Sequence, residues 1–481
     1  MSKSILSRFR HALIIGILTL AIMGLTAQWA LAQEYPRAAT NALTLFENVR
    51  IFDGTSKNLS DKTNVLVVDN TIKKISTDPI PVPEYLSVTH INGNINGKER
   101  VLMPGLIDAH VHLYMATLPP ELSVSPDMMT PGELEQNAEK AATDTLMRGF
   151  TSVRDLAGPV FKLKRAVDAG KVVGPRIYPS GAMISQTSGH GDYRTPADLP
   201  RTPTSPLSPG EVLGIGAIAD GVPEVLRATR EQLMKGASQI KLAAGGGVSS
   251  SYDPLDVSQY TEAELSAAVE AAEDWDTYVT VHAYTPRAIQ KAIRAGVKCI
   301  DHGQLMDEET AKIMHKQGIW LSLQPFLDDE DANPKEGEKR EKQLLVAEGT
   351  DIAYKLAKKY NLKTAWGTDT LFSAKLATRQ GAKLAKLVRW YTPAEVLKMA
   401  TSANAQLLAM SDLRNPYPGK LGVVEEGALA DLLLVDGNPL ENINLIEDPA
   451  QNFVVIMKDG KIYKNILPAS AEGEDSREQV N

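Results

Sequence analysis

Cysteine is nearly absent from this chain: Cys299 is the only one among 481 residues. No internal disulfide can form, so stability must come from a packed core and from bound ligands. Positive charge is also short. Lysine and arginine number 51 against 59 acids, a net charge of −8. No basic surface invites nucleic acid. Nothing else in the composition is unusual. Hydrophobic content is 43% and charged content 23%, ordinary for a soluble globular enzyme, and the length suits a large barrel plus a smaller domain.

The N-terminus reads as a targeting segment. Lys3, Arg8 and Arg10 form a basic stretch, Ala12 to Leu25 is apolar, and Ala30-Leu31-Ala32 is a small-residue cleavage site. This pattern predicts a signal peptide over residues 1–32 and export to the periplasm or medium. A retained membrane anchor is the alternative. No cysteine follows the apolar stretch, which excludes a lipoprotein anchor. Cleavage removes three positive charges and takes the net charge from −8 to −11. The cleaved protein would have no membrane partner.

Two β-rich stretches lie at opposite ends of the remaining chain. "LTLFENVRIFDG" and "NVLVVDNTIKKIS" stand near the start, "ADLLLVDGNP" and "FVVIMKDGKIYKN" near the end. They predict one small composite β-sandwich from residues 40–100 and 415–465. Between them, strands and helices alternate. Strands are expected at 101–113, 151–157, 176–185, 239–244, 278–284, 299–303, 319–325 and 364–370. Helices fit between them, at 131–149, 160–170, 223–237, 261–276, 286–296, 307–318 and 344–360, with a further helical region from about 375 to 410. Eight such units predict a TIM (β/α)8 barrel over 101–414, an α/β fold with the sandwich appended. A long connection rich in proline and small residues, Gln186 to Val222, reads as a lid or substrate wall. Residues 470–481 read as a disordered acidic tail.

Six residues carry the chemistry. His110 and His112 stand two apart in "GLIDAHVHL", on one face of a strand. Lys241 in "QIKLAAGGG" sits between outward-facing Ile240 and Leu242, so it points inward. A lone buried ammonium is costly. Lys241 therefore either pairs with a carboxylate or loses its proton, becomes nucleophilic and takes up carbon dioxide. The carbamate so formed, an N6-carboxylysine, has two oxygens able to bridge two metal ions, and it is the reading adopted. His282 in "VTVHAY", His302 in "CIDHG" and Asp369 in "WGTDT" close further strands. A carboxylate at 369 can both bind a metal and act as a base. His190, between Gly189 and Gly191 on the long connection, reads as a contact to the substrate carbonyl or transition state. Arg194, Tyr284 and Gly246 are further candidate substrate contacts. "AAGGGVSS" reads as an open, flexible rim whose amides could bind an anion, but no G-K-[ST] follows to make a phosphate loop. His11, His90 and His315 receive no role.

Together "MPGLIDAHVHL", "GFTSVRDLAG", "IKLAAGGG", "VHAY", "IDHG", "WGTDT" and "GVVEEGALADLLLVDGNPLENI" resemble the amidohydrolase superfamily. "ISQTSGHGD" and "NPYPGKLGVV" resemble the branch of Xaa-Pro dipeptidases and ochratoxin-hydrolysing amidases, with imidazolonepropionases more distant. The resemblance implies two divalent metal ions, zinc being expected. His110, His112, Lys241 and Asp369 would hold one ion, and carboxylated Lys241, His282 and His302 the other. It implies hydrolysis, by metal-bound hydroxide, of an amide bond to a C-terminal amino acid, with Asp369 shuttling the proton and His190 assisting. A lactonase or cyclic-amide hydrolase would use the same site. A non-catalytic exported binding protein would tolerate loss of a ligand, yet none is missing. The expected partner is a small-molecule substrate, and a homo-oligomer is compatible with the sequence.

Overall fold

The computed structural model describes residues 42–95, 97–119, 129–194, 201–202 and 204–468. The expected signal segment and acidic tail lie outside the described residues, as do 195–200 and 203 of the long connection.

Both chain ends enter one mixed eight-stranded sheet. Its path runs Lys461–Asn465, Phe453–Lys458, Leu432–Val435, Val101–Pro104, Leu43–Ile51, Thr63–Val68, Thr71–Ser76, with Val88–Asn92 also paired to Leu43–Ile51. Alternate residues of a strand face opposite sides, and the sequence uses this. Leu432, Leu434, Leu102, Val455 and Met457 belong to the sheet's own apolar cluster. Leu433, Val435, Val101, Met103 and Phe453 instead join the large core of the α/β unit.

The strand expected at 101–113 therefore divides. Val101–Pro104 pairs antiparallel with Leu432–Val435, while Leu106–Val111 pairs parallel with Phe150–Asp155. Gly105 is the joint, and a Cβ there would lie 2.1 Å from Thr151 Oγ1.

The central unit contains two parallel sheets. One has the order Arg176–Pro179, Phe150–Asp155, Leu106–Val111. The other runs Gly216–Ile218, Met183–Ser185, Ile240–Ala243, Val279–Ala283, Cys299–His302, Trp320–Leu323, Lys363–Trp366. Hydrogen bonds join the two at both edges. Ser238 N donates to Pro179 O at 2.8 Å on one side. On the other, Asp369 N donates to His110 O at 2.8 Å, and Asn404 Nδ2 donates to Ile107 O and Trp366 O at 2.7 and 2.8 Å.

Helices cover these sheets close to where the sequence predicts them. Thr130 and Thr261 form capping boxes with Glu133 and Glu264, which satisfies the first free backbone amides. The helix expected at 344–360 begins earlier, as Gly337–Lys359. The long connection is not irregular throughout. It contains a helical turn, Pro209–Val212, and the strand Gly216–Ile218, which adds to the sheet beside Met183–Ser185. Among the described residues, no helix is long and apolar enough to cross a membrane.

Candidate active site

His110 lies near the end of the strand Leu106–Val111 and His112 directly follows it, and both are buried. Asp108 anchors this strand end. Its carboxylate accepts from His110 N at 3.0 Å, Thr368 N at 3.1 Å, Thr368 Oγ1 at 2.8 Å and Gln380 Nε2 at 2.8 Å. The segment carrying Asp369 is thereby tied to the histidine pair. Gly367 permits the approach, since a Cβ there would lie 2.5 Å from His110 Cβ. Asp369 itself takes a left-handed φ of 47°, a conformation aspartate tolerates better than most residues. The turn brings Asp369 Oδ1 to 2.9 Å from His112 Nε2 and 3.4 Å from His110 Nε2. One potential ligand atom from each of the three lies within 4.8 Å of the others. Burial alone would raise the Asp369 carboxyl, but His112, His302 and Lys241 outweigh it and lower its pKa.

Lys241 points inward from Ile240–Ala243 and is 2% exposed. Its Nζ lies 2.6 Å from Asp301 Oδ2. Asp301 also takes Arg154 Nη2 at 2.7 Å on its other oxygen and Thr280 Oγ1 at 2.7 Å. Burial pulls the lysine pKa down while Asp301 opposes it. Burial would likewise raise Asp301, yet Lys241 and Arg154 hold it at about 2. Strict alternation would turn either Asp301 or His302 inward, not both. A left-handed φ of 82° at His302 breaks the alternation. His302 thus reaches the cluster too, its ring 5.1 Å from His110 and 4.5 Å from His282 between centroids. His302 Nδ1 contacts Gln324 Oε1 at 2.8 Å, and His282 Nε2 contacts Gly246 O at 3.0 Å. Burial depresses all three of these histidines, His302 to about 4, so they are neutral and have lone pairs to offer a metal.

His190 stacks on His282 at 3.9 Å between ring centroids. Its Nδ1 lies 2.6 Å from Ser250 Oγ and 3.2 Å from the buried Asp253 Oδ2. Asp253 Oδ2 also accepts from Ser250 Oγ and Gly247 N. With Nδ1 engaged by Ser250 and Asp253, Nε2 is the ring nitrogen left to meet a substrate oxygen. The glycines before Asp253 are not a flexible rim. A Cβ at Gly246 would lie 1.8 Å from Pro254 O, and one at Gly247 would lie 2.0 Å from His190 Nδ1. They are glycine because the backbone packs against the loop and the histidine ring.

These side chains line one cavity of about 170 Å³, with Tyr284, Tyr193 and Phe326 on its walls. Two expected substrate contacts are not on it. Arg194 is taken by Asp192, through Nε at 2.8 Å and Nη2 at 2.7 Å. Gly246 offers its carbonyl to His282 instead. Sequence reasoning also missed residues that the site uses. Arg154 and Asp155 lie in "SVRD", the latter accepting from Leu113 N at 2.8 Å just after His112, Asp301 directly precedes His302, and Asp253 follows the glycine run. Only the adjacency of Asp301 to a ligand-type histidine was a usable signal. Lys335 and Lys383 line the cavity as well and carried no signal at all.

Comparison with known proteins identifies the family. The amidohydrolase family model matches residues 101–467, and the chain belongs to that family. The ochratoxinase of Aspergillus niger is 34% identical over 445 residues, 86% of this chain and 85% of the relative. A prolidase solved with N-methylphosphonate-L-proline is 32% identical, with a TM-score of 0.79 covering 88% of this chain and all of that one. A Xaa-Pro dipeptidase with bound methionine in its active site is 28% identical, TM-score 0.74, over 88% of this chain and all of that one. The protein is a hydrolase of amide or peptide C–N bonds.

Proposed function

We propose that this protein is a two-metal amidohydrolase that cleaves the amide bond to a C-terminal amino acid bearing a free carboxylate. Dipeptides and N-acyl amino acids are the expected substrates, with ochratoxin A, cleaved at its phenylalanine amide, a further one. The observation that carries this is the convergence of four buried histidines, His110, His112, His282 and His302, a buried lysine and Asp369 on one cavity. We read the two parallel sheets, hydrogen-bonded at both edges, as one (β/α)8 barrel with these groups at its mouth. Segment 1–32 is read as the export signal, and the composite sheet as a separate domain.

The residues suit divalent metals. His110, His112 and Asp369 supply mixed imidazole and carboxylate donors, the set zinc accepts. His112 Nδ1 is buried without a hydrogen-bond partner among the described residues. His282 stands on the strand paired with that of Lys241 and His302 on the next strand, and both would serve a second ion through a carboxylated Lys241. Carboxylation joins neutral Nζ to the carbon of CO₂ and releases one proton. Asp301 would then lose its lysine cation but keep Arg154, so its charge stays compensated. When bound, such metals supply Lewis acidity and an activated water.

The chain's own groups do the remaining work. Asp369, ionised by its neighbours, accepts a proton from the attacking water. It returns that proton to the amide nitrogen as the C–N bond breaks, so acid and amine leave with atoms balanced. His190, held by Ser250 and Asp253, would contact the carbonyl oxygen as charge develops there. A panel of dipeptides, N-acyl amino acids, lactones and ochratoxin A, assayed with zinc-loaded protein, tests the proposal. Activity confined to lactones or cyclic amides would overturn it.

A further inference from the structure

Asp253 is fully buried, and among the described residues His190 is the one basic side chain within 4 Å of its carboxylate. Oδ2 takes Ser250 Oγ at 2.6 Å, Gly247 N at 2.7 Å and His190 Nδ1 at 3.2 Å. Oδ1 is buried with no hydrogen-bond partner among the described residues. A carboxylate withdrawn from water is costly when one of its oxygens goes unanswered. Every side-chain contact Asp253 makes gathers on the oxygen beside the His190 ring. The ring is therefore the place to look for what this carboxylate does.

His190 needs such a hold. It stands on the long connection, outside any strand, so no backbone ladder fixes it. The loop from Gly246 to Asp253 grips it instead. A Cβ on Gly247 would lie 2.0 Å from His190 Nδ1. Ser250 Oγ lies 2.6 Å from the same nitrogen, and Ser188 Oγ donates to Tyr252 O at 2.9 Å. The loop is itself tied to the body of the fold. Lys342, buried on the helix Gly337–Lys359, donates to Asp253 O at 3.3 Å. At its other end Gly246 O meets His282 Nε2 at 3.0 Å, and His282 is the ring on which His190 stacks. One loop thereby sets the place of His190 relative to a candidate metal ligand.

We propose that Asp253 is a positioning residue: through Oδ2 and Ser250 it holds the His190 ring against His282 with Nε2 turned to the substrate. It acts on turnover, and leaves metal and substrate affinity to other groups. This rests on the function proposed above and adds the residue that keeps the mobile-strand histidine of that site in register with the metal ligands.

The test is a double-mutant cycle on metal-loaded enzyme with N-acetyl-phenylalanine, with metal content and amide hydrogen exchange measured on the same variants. Asp253→Asn keeps the side-chain shape and an oxygen for Gly247 N. It should lower kcat by roughly 10²-fold, the cost of misplacing a reacting group by about 1 Å, with KM and metal content close to wild type. Ser250→Ala should give a smaller loss of the same kind, and it carries the same cycle if Asp253→Asn does not fold. Added to His190→Ala, either change should lower kcat no further, because residues acting as a unit are not additive. Amide exchange over 186–192 should quicken in both variants while the strand 279–283 keeps its rate. A full further loss in the His190→Ala background would make Asp253 a support for the fold and overturn the proposal. Loss of metal in step with activity would assign it to the metal ligands through Gly246, and unchanged exchange over 186–192 would show that it does not hold His190. If exchange quickens as expected but the wild type cleaves no N-acyl amino acid, the hold on His190 stands and the function proposed above falls.

Discussion

Lys241 Nζ lies 2.6 Å from Asp301 Oδ2, with both side chains buried. The lysine meets a carboxylate that Arg154 already shares, so it can lose its positive charge without leaving Asp301 uncompensated. Lys241→Ala should therefore lose metal and activity while the fold persists. A short carboxylic acid supplied with bicarbonate should restore part of both, since the bridging group is a carboxylate rather than an amine. A Lys241→Ala protein with both metals and a normal rate would end the carbamate proposal.

Arg154 is the structural half of this relationship. It is fully buried and donates to Asp301, to Ala109 O at 2.6 Å and to Tyr278 Oη at 3.2 Å. Arg154→Met should cost about 3–5 kcal/mol, the usual effect of breaking a buried pair. Denaturant unfolding of the variant checks this. A loss under about 1 kcal/mol, the value of an exposed pair, would mean that Arg154 does not hold the site together.

Asp369 should matter to turnover more than to binding. Asp369→Asn should lower kcat by roughly 10²–10⁴, the range of general acid–base catalysis, with a smaller change in KM. Steady-state kinetics decide it, and a near-normal kcat would remove Asp369 from proton transfer.

Lys383 gives a pH dependence of stability. Burial lowers its pKa to about 8, with Asp331, Asp369 and Asp108 opposing and Lys386 adding to the depression. Between the folded value and an unfolded lysine at about 10.4, the unfolded chain binds the extra proton, so this residue's contribution rises with pH. Denaturant unfolding at about pH 7 and about pH 9.5 checks this against Lys383→Met, in which that rise should be absent. An identical pH dependence in the two proteins would contradict it.

Much of this was legible in the sequence because strand ends announce themselves. His110, His112, His282, His302 and Asp369 each follow a short apolar run, and the structure gathers them with Lys241. What stayed hidden depends on backbone turns and long-range pairing. His302 and Asp369 reach the site only through left-handed φ values, which no alternation rule anticipates. The division at Gly105 was hidden because both faces of 101–113 are apolar. Arg194 looked free in sequence, and only the structure reveals Asp192 occupying it. Lys383 lies in a helical stretch among other lysines, where nothing distinguishes a buried ammonium from a solvated one.

Metal content and activity measured on the same samples test the central claim most directly. Purified protein should carry about two divalent ions per chain, as two-metal hydrolases do. Chelation should abolish cleavage of N-acyl amino acids, and added zinc should restore it in step with occupancy. Full activity in protein stripped of every ion would contradict the account.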